Sequence, residues 1–222
     1  GLKFFDSDGF KIFKDLEKNI EAIVSSSTKY KKIFYKSSEL GKVLRLEDVQ
    51  GRYSEFLKST INKKLNFKKI KIVLDCGNGA TYNVAPSLFW ELGCDVYSIN
   101  VMPNGRNINE NCGAVNIKQL SKKVIEVKAD IGFAFDGDGD RIIVVDENGT
   151  KIDGDQIIAL FANNFLKLNK LKKKTIVTTV MSNLGLENYL NKKLKIKLIR
   201  TKVGDINVIT EMKKKSLLLG GE

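Results

Sequence analysis

The hydrophobic positions of the chain follow a helical spacing at first and a strand–helix alternation later. In residues 11–24 and 47–62, apolar side chains return every three or four positions, as they do along the buried face of a helix. Residues 25–45 between these segments are rich in Ser and Lys, which is typical of a surface connection. We therefore predict two amphipathic helices joined by an exposed segment.

From residue 69 onward, short apolar runs alternate with helical patterns. The first round comprises predicted strands at 69–74, 95–99, 130–135 and 142–145, with helices at 81–92 and 117–127. The second round comprises a helix at 154–168 capped by Asp153, a strand at 175–180, a helix at 184–193, a strand at 195–200, a helix at 205–214 and the start of a strand at 216–219. This alternation predicts an α/β fold with consecutive mixed, mainly parallel sheets.

The order of the elements predicts three domains. Residues 1–65 form the C-terminal part of a first domain, residues 66–150 a second domain, and residues 151–222 a truncated third domain. The chain starts at Gly1 without a methionine and stops within the last pattern, so we interpret both ends as cut. Ligands of open α/β sheets bind beyond the carboxyl ends of strands, where polar and glycine-rich segments recur in this chain. We therefore predict a cleft between domains.

Composition narrows the class of protein. The 222 residues are 42% hydrophobic, which is enough for a sizeable core, and they contain no apolar stretch of membrane-spanning length and no secretory leader. The three cysteines are odd in number and form no zinc pattern, which favours thiols in a reducing cytoplasm. The chain has no histidine, so histidine-based triads and histidine-ligated metal sites are excluded within it.

The net charge of +12 comes almost entirely from scattered lysines. Arginine, the usual side chain for reading bases and gripping phosphates, is scarce, and no basic stripe is interleaved with aromatic residues. We interpret the excess as a solvated lysine-rich surface with a minor attraction for anionic sugar phosphates. We predict neither a nucleic-acid partner nor a membrane partner. A nucleic-acid-binding module is the weakest of the alternative functions.

The strongest chemical signal is the segment Asp136-Gly137-Asp138-Gly139-Asp140-Arg141, which directly follows the predicted strand at 130–135. Three carboxylates so close together repel one another unless a cation joins them, and Mg²⁺ is a hard ion that takes oxygen ligands. The two glycines allow the tight backbone that brings the carboxylates together. Arg141 adds a planar fork suited to a phosphate. The segment therefore predicts a metal site for phosphoryl chemistry.

Two other interpretations of this segment are a solvated acidic turn and a calcium-binding loop. Asp136, Asp138, Asp140 and Glu147 fall at positions 1, 3, 5 and 12 of a calcium loop, but position 6, which requires glycine, is Arg141. The following residues form a β-branched strand pattern instead of a helix. A catalytic metal loop explains the segment better than either alternative.

With these residues the chain resembles the α-D-phosphohexomutases, most closely their glucosamine branch, the bacterial phosphoglucosamine mutases. The metal loop of that family is present intact at 136–141, and the resemblance covers essentially the whole chain. Further similar segments are 71–80, 105–114, 153–157, 180–185 and 202–205. The segment that contains Asn107, Asn109 and Cys112 favours the glucosamine branch, and Asn107 and Asn109 are either turn residues or ligands.

The resemblance implies α/β domains of the phosphohexomutase type within a four-domain enzyme. The implied reaction is the Mg²⁺-dependent interconversion of glucosamine 6-phosphate and glucosamine 1-phosphate through a phosphoserine enzyme and a 1,6-bisphosphate. This reaction feeds the synthesis of UDP-N-acetylglucosamine and peptidoglycan. The implied activator is glucosamine 1,6-bisphosphate or glucose 1,6-bisphosphate, and the implied substrate is a hexosamine phosphate. A homodimer is a possible oligomeric state.

The resemblance also assigns residues of the phosphoryl site. It implies that Asp136, Asp138 and Asp140 hold one Mg²⁺ and that Arg141 steadies the phosphoserine. Lys3 matches a lysine just downstream of the family's phosphoserine loop, where it is a candidate for proton transfer; a surface lysine is the alternative.

On the sugar side, Glu222 matches the first acid of the family's sugar-recognition loop, where it accepts hydrogen bonds from hydroxyl groups. Gly204 and Asp205 match a substrate-side turn. The family usually continues that turn with Arg and Tyr, and this chain has Ile206 and Asn207 instead.

The phosphoserine loop has no counterpart within residues 1–222, and the sugar loop continues beyond Glu222 in the family. We therefore expect an excerpt, or a split or decayed gene product, that is inactive alone. The alternatives are a phosphomannomutase or phosphoglucomutase of the same family, a non-catalytic phosphosugar-binding remnant, and a phosphatase of the haloacid-dehalogenase type.

Overall fold

The computed structural model describes residues 4–26, 36, 40–42 and 47–222. Contacts divide the chain into two compact units, Gly1–Glu47 and Asp48–Glu222, and each is described by itself. The domain boundaries predicted at 65/66 and 150/151 stay predictions. Within the described residues, no helix combines the length and the apolar character that a membrane crossing requires.

The first unit contains a short turn and a helix. Phe5 and Lys11 form an antiparallel bridge, and the Asp6 carboxylate accepts hydrogen bonds from the backbone N–H groups of Asp8 and Phe10 within the turn. Helix α1 (Lys14–Ser25) follows. The predicted helix at 11–24 is therefore confirmed with a later start, because residues 4–12 are held in the turn.

The second unit begins with helix α2 (Val49–Thr60), which packs against helix α3 (Val84–Glu91). The Asn83 side chain donates to the Gln50 side chain over 2.8 Å, and Lys58 forms an ion pair of 2.7 Å with Glu91. Polar contacts thus join the two helices along their length.

A five-stranded sheet follows, with the order β2-β1-β3-β4-β5. Its strands are β1 (Lys71–Asp75), β2 (Asp95–Ile99), β3 (Ile131–Phe135), β4 (Ile142–Asp146) and β5 (Lys151–Ile152). The β1 strand pairs in parallel with both β2 and β3, whereas β4 pairs antiparallel with β3 and with β5. The sheet is therefore mixed, and β3 and β4 form a hairpin.

Alternation along β1 gives the sheet two apolar faces. Val73 packs in a cluster with Leu120 and Val124 of helix α4 (Lys118–Val127), while Leu74 packs in a second cluster with Ala85 of α3. One face is therefore covered by α4 and the other by α3. Both faces of the central strand β1 are therefore buried.

The C-terminal part contains a smaller parallel sheet of β6 (Thr175–Thr179) and β7 (Lys197–Thr201). Gly220 forms a parallel bridge with Val177, so the last residues lie along the free side of β6. The helices are α5 (Gly154–Lys167), α6 (Leu184–Asn188) with a π-helical continuation (Tyr189–Leu194), and α7 (Asp205–Lys215). The α/β fold class is thus confirmed.

Candidate functional site

The metal loop is the turn of the β3–β4 hairpin. Phe135 and Ile142 are the last paired residues, and the Asp136 N–H donates to the Arg141 carbonyl over 3.3 Å. Inside the loop, the Gly139 N–H donates to the Asp136 carbonyl over 3.1 Å, and Gly139 adopts a φ of +72°. Glycine accepts this backbone conformation readily. The six residues 136–141 therefore form a closed turn with fixed ends.

This turn brings the three carboxylates together. One oxygen atom of each of Asp136, Asp138 and Asp140 lies within 4.8 Å of the others. Asp136 is 2% exposed, whereas Asp138 and Asp140 face solvent. Converging hard oxygen donors, one side open to water and phosphate, match the ligands that Mg²⁺ prefers. A buried carboxylate beside two others also requires positive charge nearby. The donor set therefore fits a divalent cation.

Arg141 supplies part of that positive charge. Its backbone N–H donates to one Asp136 oxygen over 3.0 Å, and its Nε donates to the other over 3.0 Å. Its Nε also lies 3.8 Å from an Asp140 oxygen. The Arg141 side chain remains 67% exposed. Arg141 thus orients the buried carboxylate and holds its guanidinium at the surface of the site, where an anionic group can reach it.

Two other loops lie directly behind the metal loop. The Ala80 N–H donates to the Gly137 carbonyl over 2.8 Å, and a Cβ atom on Gly79 would lie only 2.4 Å from the Gly137 oxygen. On the other side, a Cβ atom on Gly137 would lie 2.5 Å from Cδ1 of Ile108. The position of the metal loop therefore depends on close approach between glycines, which sequence patterns do not reveal.

Asp75 is a polar residue of this region to which sequence analysis assigns no role. It ends β1, is fully buried, and accepts hydrogen bonds from Gly77, Asn100 and Gly113. The sequence does indicate that Asp75 lies at the end of a strand, since this residue stands between an apolar strand and the turn residues 77–79.

Asn107 and Asn109, which sequence analysis left as either turn residues or ligands, occupy turns. The Asn107 side chain accepts from the Asn104 N–H over 2.9 Å and donates to the Met102 carbonyl over 3.0 Å. Asn109 has a φ of +56°, and its N–H donates to the Gly77 carbonyl. Both residues therefore shape the loop behind residues 136–141.

The thiols are buried beside this network. Burial raises the pKa of the Cys76 thiol from its ordinary value of 9.0 to about 11, and burial also raises the pKa of Cys94 and Cys112. All three are free. Thiolate is the nucleophilic form, so these cysteines are poor nucleophiles in the folded chain.

We predict that Cys76 of the folded chain reacts with a thiol reagent at pH 8 at least about 100-fold more slowly than in the unfolded chain, because burial raises its pKa from 9.0 to about 11 and blocks the access of the reagent. Since the folded pKa is the higher one, this thiol stabilises the fold below its ordinary pKa and loses that contribution as pH rises through about 11. Labelling with and without denaturant, followed by peptide mass analysis, measures the ratio. Equal rates in both states would contradict the burial of Cys76.

The predicted sugar-side residues meet at the end of the smaller sheet. The Gly204 N–H lies 3.3 and 3.2 Å from the two carboxylate oxygens of Glu222. Asp205 is the first residue of α7, and its carboxylate accepts from the Ile206 N–H over 2.8 Å. Glu222, Gly204 and Asp205 are therefore neighbours in the structure. Lys3 lies outside the described residues.

Arg200 is a further residue without a role in the sequence analysis. Its guanidinium donates to the Ser182 carbonyl over 2.6 Å and to the Glu187 carboxylate over 2.9 Å. The Asn183 N–H in turn donates to the Asp155 carboxylate over 2.8 Å. These bonds tie the loop after β6 to β7 and to the start of α5, and they join β7 to α6.

Comparison with protein families identifies two matching domain models. Residues 51–149 match α/β/α domain II of the phosphoglucomutase/phosphomannomutase family, and residues 153–222 match α/β/α domain III of the same family. The metal loop lies in the first match, and Gly204, Asp205 and Glu222 lie in the second.

Individual relatives are similar over the full chain. The phosphoglucosamine mutase of Thermodesulfovibrio yellowstonii is 49% identical over all 222 residues, which cover 49% of that protein. The chain spans about half the length of the curated relatives that it matches.

Solved structures share the fold. A phosphoglucomutase/phosphomannomutase family protein from Burkholderia thailandensis superposes with a TM-score of 0.76 at 26% identity, over 95% of this chain and 44% of that one. The N-acetylphosphoglucosamine mutase of Aspergillus fumigatus, solved with GlcNAc-6P and magnesium, gives a TM-score of 0.57 at 24% identity, over 76% of this chain and 38% of that one.

Proposed function

Because the chain belongs to the phosphohexomutase family, whose domains II and III it contains, we propose that it is the metal-binding and sugar-recognition part of a phosphoglucosamine mutase. The observation that carries this proposal is the convergence of Asp136, Asp138 and Asp140 beside Arg141, in the loop sequence typical of the family. Relatives that are 45–49% identical to the chain are named phosphoglucosamine mutase.

In the proposed reaction, a phosphoserine of the longer enzyme transfers its phosphoryl group to glucosamine 6-phosphate or glucosamine 1-phosphate. A bound Mg²⁺ supplies charge neutralisation for that transfer. Asp136, Asp138 and Asp140 hold the cation, and Arg141, oriented by Asp136, steadies the phosphoserine. The magnesium and GlcNAc-6P of the Aspergillus fumigatus structure support the assignment of cation and substrate class.

On the sugar side, Glu222 accepts hydrogen bonds from the hydroxyl groups of the hexosamine. Its hydrogen-bonding distance to the Gly204 N–H supports this role, since a carboxylate with a fixed position can distinguish hydroxyl orientations. We propose Asp205 as a substrate-side neighbour and Lys3 as a proton-transfer group. Glucosamine 1,6-bisphosphate or glucose 1,6-bisphosphate primes the serine, and the product enters amino-sugar and peptidoglycan synthesis.

A second candidate is a phosphoglucomutase or phosphomannomutase of the same family. This candidate is supported by the two matching domain models and by the Burkholderia thailandensis structure, which are all named for phosphoglucomutase/phosphomannomutase. The two candidates share the metal chemistry and differ in the sugar that reaches Glu222.

The test is a mutase assay of the native gene product with glucosamine, glucose and mannose 6-phosphates, in the presence of Mg²⁺ and a hexose 1,6-bisphosphate. We expect preference for glucosamine 6-phosphate, and no turnover by residues 1–222 alone, because the phosphoryl-carrying serine is not among them. Removing Mg²⁺ should lower the rate by about 100-fold or more, since a Lewis acid contributes several kcal/mol.

Three results would contradict the proposal. A faster reaction with mannose or glucose phosphate would favour the second candidate. Release of inorganic phosphate without any need for a bisphosphate would indicate a phosphatase. Binding of sugar phosphate by the native product without turnover would indicate a non-catalytic remnant.

A further inference from the structure

Asp75 is a fully buried carboxylate that lies outside the set of three metal-loop carboxylates. One of its oxygens accepts from the Gly77 N–H over 3.0 Å and from the Asn100 side chain over 3.0 Å. The other accepts from the Gly113 N–H over 2.9 Å. Three donors from three separate segments of the chain therefore converge on one negative charge.

The same segments form the surface against which the metal loop rests. A Cβ atom on Gly77 or Gly113 would lie 3.0 or 2.5 Å from the carbonyl oxygen of Phe135, the residue that precedes Asp136. Gly79, two residues beyond Gly77, is in equally close apposition to Gly137. In addition, Asp75 is paired with Ala134 of β3. Gly77 and Gly113, whose N–H groups donate to Asp75, therefore also lie against the residue that precedes the metal loop.

We propose that Asp75 is a positioning residue that sets the spacing of Asp136, Asp138 and Asp140, and thereby the preference of the site for Mg²⁺ over Ca²⁺, without binding the cation itself. Mg²⁺ requires nearly octahedral ligands at about 2.0–2.1 Å, whereas Ca²⁺ accepts irregular ligands at about 2.3–2.6 Å. A small displacement of the loop therefore weakens Mg²⁺ binding more than Ca²⁺ binding. This inference rests on the metal site of the proposed function.

The test is the substitution Asp75→Asn, which preserves shape and removes one acceptor. The amide NH₂ group must face at least one of the present N–H donors, so at least one of the three bonds is lost. We expect the affinity of the 222-residue chain for Mg²⁺ to fall about tenfold, the low end for loss of an outer partner of a metal site, and its affinity for Ca²⁺ to fall less than about threefold. Competition of each ion against Mn²⁺, followed by electron paramagnetic resonance, measures both affinities.

Asp146→Asn is the matched control. Asp146 is the last residue of β4 in the same sheet, and its carboxylate also accepts from backbone N–H groups, those of Asn148 and Thr150 in the β4–β5 turn. It pairs with Ile131 at the start of β3, the opposite end from the metal loop. We expect this variant to bind both ions as the unaltered chain does.

Asn100→Gly tests the same bond more gently, in case Asp75→Asn does not fold. It removes one donor to Asp75, and glycine tolerates the φ of +54° at this position. We expect a fall in the Mg²⁺ to Ca²⁺ affinity ratio that is smaller than for Asp75→Asn.

The outcomes separate this inference from the proposed function. An unchanged affinity ratio in the folded variants, or an equal loss for both ions, would overturn the positioning role while the metal site stands. If the unaltered chain binds neither ion, the metal site of the proposed function is wrong, and the role of Asp75 fails with it.

Discussion

The substitution Asp138→Asn is expected to lower the affinity of the chain for Mg²⁺ by about 100-fold or more, because loss of an outer partner already lowers metal affinity about 10–100-fold and Asp138 is a proposed ligand. Its side chain is exposed, so the free energy of unfolding without metal should change by less than about 0.5 kcal/mol. Affinity for Ca²⁺ should fall as well, in contrast to Asp75→Asn. Isothermal titration with each ion and thermal unfolding in a chelator give the three quantities.

Glu147→Gln is the control for Asp138→Asn. Glu147 is another exposed carboxylate, but it lies in the turn between β4 and β5, at the opposite end of β4 from the metal loop. The same neutralisation there should leave Mg²⁺ binding unchanged apart from a small effect of net charge. Equal losses of affinity in both variants would show that general attraction, and not ligation by the loop, holds the cation.

The second large effect is expected for Gly79→Ala, which should lower the free energy of unfolding by about 2–3 kcal/mol and weaken Mg²⁺ binding as well. The added methyl group would lie 2.4 Å from the Gly137 oxygen and 2.6 Å from its Cα, so backbone must move to admit it. Overpacking of a fixed site costs about 1–3 kcal/mol. Chemical denaturation measures the stability, and ion titration of the folded variant measures the site.

Gly51→Ala is the matched substitution in the same unit. Gly51 lies exposed within α2, with nothing within 4 Å of an added Cβ atom, so alanine should stabilise the helix by about 0.5–1 kcal/mol. Opposite signs for the two glycine substitutions are therefore expected. A neutral Gly79→Ala with full Mg²⁺ affinity would contradict the close apposition of the two loops.

The sequence predicted the cluster of carboxylates and most of the order of the elements, but it missed β5 (Lys151–Ile152), and the strand expected at 216–219 is only a bridge at Gly220. The strand at 95–99 has the predicted limits, and Asp153 with Gln156 forms a capping box at the start of α5. These features are local. The alternation of a strand, the cap of a helix and the three aspartates with two glycines can each be recognised within a few residues. The convergence of Asp136, Asp138 and Asp140 follows from the same local geometry.

The features that escaped prediction depend on distant contacts. The helix predicted at 184–193 is an α-helix only to Asn188 and then continues as a π-helix that ends before Lys195. Leu186 and Leu190 are both buried, so the pattern of apolar residues does not distinguish α-helical from π-helical hydrogen bonding. Likewise, nothing near Asp75 in sequence indicates that Gly113 donates to it.

The hairpin also separates the assembly of the proposed metal site into two stages. All three carboxylates belong to one β3–β4 hairpin, and such a unit closes in about 1–10 μs. The segments packed against it contain Gly77, Gly79 and Gly113, and their contacts with the hairpin require slower closure of longer loops. The three charges are therefore brought together when the hairpin closes, and their mutual repulsion is present before these outer contacts form.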